Sequence, residues 1–135
     1  MTTATMDLSI GIVSYNCRDL LARCLESIRA HSGQLSVEVI VTDNASTDDT
    51  VAMVREHFPE VRLIASRENL GFAAGTNRAL AAAAGDVLMM LNPDTEVRPG
   101  ALEHLVHFLR ERPEAGAVGP RMVGPDDRLP LTCHA

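Results

Sequence analysis

The residues best able to do chemistry stand where an apolar run stops: Val87-Leu88-Met89-Met90-Leu91 gives way to Asn92-Pro93-Asp94-Thr95-Glu96. Asn92 and Asp94 offer an amide oxygen and a carboxylate two residues apart, on a turn that Pro93 stiffens. Hard oxygen donors placed this way can hold a divalent cation, Mg²⁺ or Mn²⁺, and leave its remaining positions to water and a diphosphate. The same residue types also make any tight turn after a strand. The rest of the chain has to decide between the two.

Composition closes off several other chemistries. A net charge of −6 over 135 residues opposes nonspecific nucleic-acid binding, and three Phe with one Tyr leave little for base stacking. All twelve basic residues are Arg, so neither a Schiff base nor a P-loop lysine is available. Cys17, Cys24 and Cys133 have no CxxC or His spacing and read as ordinary thiols, not as a disulfide framework or a structural zinc site. Cys17 and Cys24, seven apart, would share a helix face and pack. His104 and His107 could meet a metal from an expected helix, but solvation is the simpler account. The length and the 46% hydrophobic content suit one domain with a real core, or half of a larger one. No apolar run approaches the roughly 18 residues of a membrane span, and Met1 to Asp7 is unlike a signal peptide, so the cytoplasm is the expected compartment.

The elements that must position Asn92 and Asp94 follow from periodicity. Leu8 to Ser14 reads as a strand; Leu20, Leu21, Cys24, Leu25 and Ile28 recur at helical spacing, with Asn16 as the expected N-cap and Ser32-Gly33 as the stop. Val37 to Val41 is a second strand, and Ser46 with Asp49 has the spacing of a capping box for a helix that runs to Phe58. Val61 to Ala65 is a third strand, followed by an Ala-rich helix over about Ala73 to Ala84 that Gly85 closes. Asp86 to Leu91 is the fourth strand, expected to be buried; Pro99 fits the first turn of the helix carrying Leu102, Leu105, Val106 and Leu109. Ala115 to Gly119 is a candidate fifth strand, and Pro120 to Ala135 reads as an irregular tail. Such alternation implies a Rossmann-like α/β fold, a mainly parallel sheet with helices on both faces.

Ligands of such sheets sit outside the carboxyl ends of the strands. Four loops end there, holding Tyr15 and Asn16, Asp43 and Asn44, Arg67 to Gly71, and Asn92 to Asp94. Tyr15 could cover a base, Asp43 accept from a base N–H or a ribose hydroxyl, Arg67 meet phosphate, and Asp94 hold the metal. Each also has a purely structural reading: Tyr15 as a plug, Asp43 as a turn cap, Asn69 as a helix start with Gly71 relieving strain. No GxGxxG follows the first strand, because Gly11 lies inside it; Gly71 and Gly75 have glycine spacing in the third loop only.

The segments IGIVSYN, VIVTDNASTDDT, RENLGFAAGTNRAL and LMMLNPDTEV, in this order, resemble the nucleotide-sugar-binding half of the family 2 glycosyltransferases of GT-A fold. The resemblance covers about Leu8 to Gly119, and the Asn-Pro-Asp form is most similar to rhamnosyltransferase-type members. It implies that Tyr15, Asn16, Asp43 and Asn44 lie on the base side. It also implies that Arg67, Asn69, Gly71 and Asn77 lie on the nucleotide or sugar side, and that Asn92 and Asp94 match the family's Asp-x-Asp metal motif. Asn92 replaces the first acidic residue there, which removes one charge from the metal shell.

The implied function is transfer of a sugar from a nucleoside-diphosphate sugar to an acceptor hydroxyl, inverting and metal-assisted. The implied partners are a saccharide or lipid-linked acceptor, with no nucleic acid and no membrane span. The implied setting is envelope polysaccharide synthesis in the cytoplasm, at the inner face of the membrane. Residues 1–119 would be the donor-binding domain and 120–135 the start of an acceptor half. The general base has no counterpart in the chain, since Asp126 and Asp127 sit in what reads as a turn. Two alternatives follow: a noncatalytic nucleotide-sugar-binding or interaction module, and, remotely, a nucleotidylyltransferase, which lacks its glycine-rich loop and lysine here. Apolar surface left by an absent half would favour self-association.

Overall fold

The computed structural model describes residues 5–128, so Cys133 and the end of the expected tail lie outside the described residues. Four strands, β1 (Leu8–Ser14), β2 (Val37–Asp43), β3 (Arg62–Ala65) and β4 (Val87–Leu91), alternate with α1 (Arg18–His31), α2 (Thr50–His57), α3 (Gly71–Ala81) and α4 (Ala101–Glu111). The strands form one parallel sheet in the order β3-β2-β1-β4. In β1 the period of two sends Leu8, Ile10 and Ile12 to one face, where they are fully buried and register with Val87, Met89 and Leu91 of β4. Leu21, Cys24, Leu25 and Ile28 of α1, Met53 and Val54 of α2, and Leu102 and Val106 of α4 complete that core. Leu20, expected in the same stripe, is exposed.

The opposite face carries α3 alone. A Cβ on Gly11 would come 3.1 Å from Ala79 Cβ, and one on Gly75 would come 2.9 Å from Val13 Cγ1, so both glycines let α3 lie close on β1. Because α3 packs on β1 and β2, it leaves the outer strand bare: Leu88 and Met90 are 50% and 61% exposed. The expectation of a buried fourth strand is corrected accordingly, since β4 is an edge strand covered on one face only. The fifth strand over Ala115 to Gly119 does not form. A cleft of about 570 Å³ lined by Asp86, Val87, Leu88, Gly116 and Ala117 lies between that segment and β4. The Ala115 amide donates back to Arg112 O at 2.9 Å, and Gly116, Gly119 and Pro120 supply neither side-chain packing nor a full set of donors.

Several helix ends also differ from expectation. Cys17, not Asn16, occupies the N-cap of α1, because Asn16 has φ 47° and its side chain is engaged elsewhere; Ser32 and Gly33 (φ 59°) end the helix as expected. At α2 the Ser46–Asp49 box is absent. Asp48 Oδ1 instead accepts the Thr50 amide at 3.0 Å and the Thr50 hydroxyl at 2.5 Å, which with the other bonds to Asp48 holds its carboxyl below the usual range. Helix α3 starts earlier and stops sooner than its alanines suggest. Gly100, at φ 78°, precedes α4 and puts Pro99 outside it.

Candidate functional site

With β2 and β3 on one side of β1 and β4 on the other, the chain reverses its direction of travel between β1 and β4. That switch point opens a crevice at the carboxyl ends of the strands. On the β4 side, Asn92 O accepts the Thr95 amide at 3.2 Å and the Thr95 hydroxyl at 2.7 Å, closing a turn with Pro93 at its second position. Behind it, Ser27 Oγ accepts the Val97 amide at 2.8 Å and pins the loop to α1. Cys24 sits buried under the same turn, its Sγ 3.9 Å from Asn92 O, and burial pushes its thiol up to about 11. The turn is therefore held by backbone, Thr95 and Ser27, while the Asn92 amide and the Asp94 carboxylate stay exposed. One carboxylate and one amide oxygen on an open turn fit a hexacoordinate cation that takes its other ligands from phosphate and water. They do not make a closed cage: among the described residues no cluster of three His, Cys, Asp or Glu surrounds any point.

From Asp94 a cleft of about 810 Å³ extends past Leu91, Leu102 and Leu105 toward Pro120 and Met122. Its far wall ends in a turn, where the Gly124 amide donates to Arg128 O at 2.7 Å and the Asp127 amide to Gly124 O at 3.0 Å. Arg98 pairs with Asp127 at 2.5 Å, and Asp126 Oδ1 accepts the Arg128 amide at 3.2 Å, so this carboxylate pair belongs to the turn, as its spacing suggested.

The loops after β1 and β2 are tied together. Tyr15 leaves the sheet 51% exposed. Asn16 donates its amide to Ser46 Oγ at 2.9 Å, and its Oδ1 accepts the Thr47 amide at 2.7 Å. Asp43 is 1% exposed, with Oδ1 accepting the Ser46 hydroxyl at 2.6 Å and Oδ2 the Ser46 amide at 2.9 Å. Asn44, 2% exposed, donates from Nδ2 to Gly71 O at 2.9 Å, while its Oδ1 is buried with no partner. Gly71, at φ 82°, also gives its amide to Asn69 Oδ1 at 2.9 Å. Arg67 and Asn77 are exposed, and among the described residues neither side chain takes an ion pair or hydrogen bond.

Tyr15, Asn16 and Asp43 are thus brought together through Ser46, and Asn44 and Asn69 through the carbonyl and the amide of Gly71, with the Asn92–Asp94 turn at the end of β4, on the other side of β1 from β2 and β3. Sequence reasoning missed Ser46 and Asp48 as organisers of the site. Ser46 three residues after Asp43 was a readable local signal, but its contact with Asn16, thirty positions earlier, was not.

Comparison with known proteins agrees with this fold. The sequence profile described as Glycosyl transferase family 2 matches residues 9–132. The chain is 32% identical over 130 residues to the N-acetylglucosaminyl-diphospho-decaprenol L-rhamnosyltransferase of Mycobacterium tuberculosis, covering 88% of this chain and 42% of that protein. It is 37% identical over 101 residues to the succinoglycan biosynthesis protein ExoO of Rhizobium meliloti, covering 74% of this chain and 29% of that one. The chain thus spans well under half the length of these relatives. The mannosyltransferase PcManGT from Pyrobaculum calidifontis, solved in complex with GDP-Man and Mn²⁺, superposes with a TM-score of 0.73 at 26% identity over 93% of this chain and 38% of its own. S. aureus TarS 1-349 in complex with UDP gives 0.72 at 23% identity over 79% of this chain and 33% of its own, a likeness of fold. With the Rossmann-like parallel sheet and the four loops in place, this chain belongs to glycosyl transferase family 2.

Proposed function

We propose that the four loops bind a nucleoside-diphosphate sugar, and that the chain is the donor-binding portion of an inverting glycosyltransferase. The observation that carries this is the Asn92 to Thr95 turn, which closes without using the Asn92 amide or the Asp94 carboxylate and leaves both exposed at the switch point. Asp94 with Asn92 would hold a divalent cation, which when bound offsets the charge developing on the departing diphosphate. Tyr15 covers one face of the base, Asp43 accepts a base N–H or ribose hydroxyl, and Asn16 and Asn44 hold their loops around it. Arg67 offers its guanidinium fork to a phosphate, with Asn69 and Gly71 shaping that loop and Asn77 beside it. In the transfer, the acceptor oxygen bonds to the anomeric carbon as the bond from that carbon to the diphosphate oxygen breaks, and the hydroxyl proton passes to a base outside these loops.

The name of the mycobacterial relative supports a lipid-linked saccharide acceptor; envelope polysaccharide synthesis at the cytoplasmic face of a membrane belongs to the same proposed reading. Among the described residues no helix is long and apolar enough to cross one. Residues 1–119 form the donor domain in this reading, with 120–135 leading toward the acceptor side. The exposed Leu88 and Met90 support self-association of the isolated chain.

Calorimetry with UDP and with GDP, each with Mn²⁺, tests the donor reading. Wild type binds one of them, and Asp94→Ala weakens that binding about a hundredfold while stability changes by less than about 0.5 kcal/mol, as for an exposed side chain without partners. Unchanged binding by the variant refutes the role of Asp94. Nucleotide binding with no sugar transfer by this chain favours the noncatalytic module.

A further inference from the structure

Two residues other than glycine hold left-handed backbone conformations at the carboxyl edge of the sheet: Asn16 at φ 47° and Ala45 at φ 63°. Asparagine tolerates that region, but alanine gains nothing there, so the conformation at Ala45 persists only because its neighbours impose it. Those neighbours are Asn44, fixed to Gly71 O, and Ser46, fixed to Asp43. The backbone at Ala45 is bent so that both bonds form at once.

Resting on the donor reading above, we propose that Ser46 is a positioning residue for the nucleoside end of the donor. Its amide and hydroxyl each meet a different oxygen of Asp43, at 2.9 and 2.6 Å, which fixes the plane of that carboxylate within the loop. The same hydroxyl oxygen accepts the Asn16 amide at 2.9 Å, the peptide that links Asn16 to Tyr15. One side chain therefore sets both the acceptor that meets the base or ribose and the direction in which the exposed ring of Tyr15 leaves β1. Asn16 Oδ1 reinforces the latch from the other side by accepting the Thr47 amide at 2.7 Å and the Thr47 hydroxyl at 3.3 Å. The latch joins the loops after β1 and β2, and no bond in it reaches the Asn92–Asp94 turn. Preorganised acceptors bind more tightly because less ordering remains to be done when the ligand arrives.

The test separates the nucleoside end from the diphosphate end. Ser46→Ala, Ser46→Thr and wild type are titrated with UDP·Mn²⁺, GDP·Mn²⁺ and Mn²⁺·pyrophosphate by calorimetry, and their thermal midpoints are recorded. Ser46→Ala is expected to lose about tenfold in nucleotide affinity, or about 1.4 kcal/mol, the order of one hydrogen bond to a charged group. Its affinity for Mn²⁺·pyrophosphate should stay within about twofold, and Ser46→Thr, which keeps the hydroxyl, should recover most of the loss. Nucleotide affinity unchanged in Ser46→Ala overturns the inference. So does an equal loss for nucleotide and pyrophosphate, which would make Ser46 a general stability residue. A wild-type chain that binds Mn²⁺·pyrophosphate but neither nucleotide overturns the donor reading itself and this inference with it.

Discussion

Replacing Gly75 with alanine should destabilise the protein even though alanine is the better helix former. Gly75 lies in the second turn of α3, where the helix crosses β1. An added Cβ would come within 2.9 Å of Val13 Cγ1, 3.1 Å of Val13 Cγ2 and 3.4 Å of Asn44 Nδ2. Ordinary carbon contacts begin near 3.5 Å, so Val13 must recede by about half an ångström. It is poorly able to do so, because its branched side chain is stiff at χ1 and stands on the central strand. Overpacking costs about 1 to 3 kcal/mol, and two branched methyls met near 3 Å put this site in the upper part of that range, at about 2 to 3, of which the gain in helix propensity returns about 1. The net loss is then about 1 to 2 kcal/mol, with a fall of about 3 to 8 °C in thermal midpoint. Truncating Val13 to alanine alone should also cost about 1 kcal/mol, since its methyl groups are half-buried. In the double variant, however, the clash disappears, and the two losses should fall short of additive by about 1 kcal/mol or more. Urea unfolding of the four proteins, analysed at constant slope, measures this directly. A Gly75→Ala protein as stable as wild type, or strictly additive losses, would refute the close crossing of α3 over β1.

Two further outcomes follow from the ionisable groups Asp7 and Cys24. Arg110 and the Ser36 amide and hydroxyl hold the Asp7 carboxyl down at about 2, so its ionised form favours the fold. That stability is present above the ordinary carboxylate pKa and is lost as pH falls from about 4 through about 2; Asp7→Asn should lower the thermal midpoint at pH 7 and flatten its pH dependence in that window. Cys24, buried and with its thiol pushed up to about 11, should resist alkylation at pH 8 in the folded protein and react promptly in urea; rapid labelling of Cys24 in the native state, read by peptide mass, would contradict its burial.

The order of strands and helices was legible because each apolar run and each helical stripe carries its period locally, as in Leu8 to Ser14 or Leu21, Cys24, Leu25 and Ile28. The place of β4 was not. Val87 to Leu91 is uniformly apolar, and an apolar run cannot say whether a neighbour will cover its second face. The failed strand over Ala115 to Gly119 has the same cause, since pairing needs a partner that accepts it as well as suitable residues. Within the site, Asn92-Pro93-Asp94 was readable both as a turn and as a candidate ligand pair; the turn forms, and the Asn92 and Asp94 side chains stay exposed on it. For Asn16 and Ser46 local spacing favours helix caps, and it is this part of their reading that the structure overturns. Their actual bonds run to Thr47 and Asp43, and through them across thirty residues of chain, a distance over which residue types carry no pairing information.

The strand order also ranks the strands by how readily each opens. β1 and β2 are each paired on both sides, so their central amides should exchange with solvent only in the larger unfolding events. β4 is paired on one side and bare on one face, and its opening should be among the least costly in the sheet. The carboxylate at Asp94 therefore hangs from an edge strand expected to open readily, while Tyr15 and Asp43 hang from strands paired on both sides. A ligand touching both ends would close that difference: by mass action it would raise the protection of β4 amides more than those of β1, so that the hydrogen-exchange profile itself would report occupancy of the crevice.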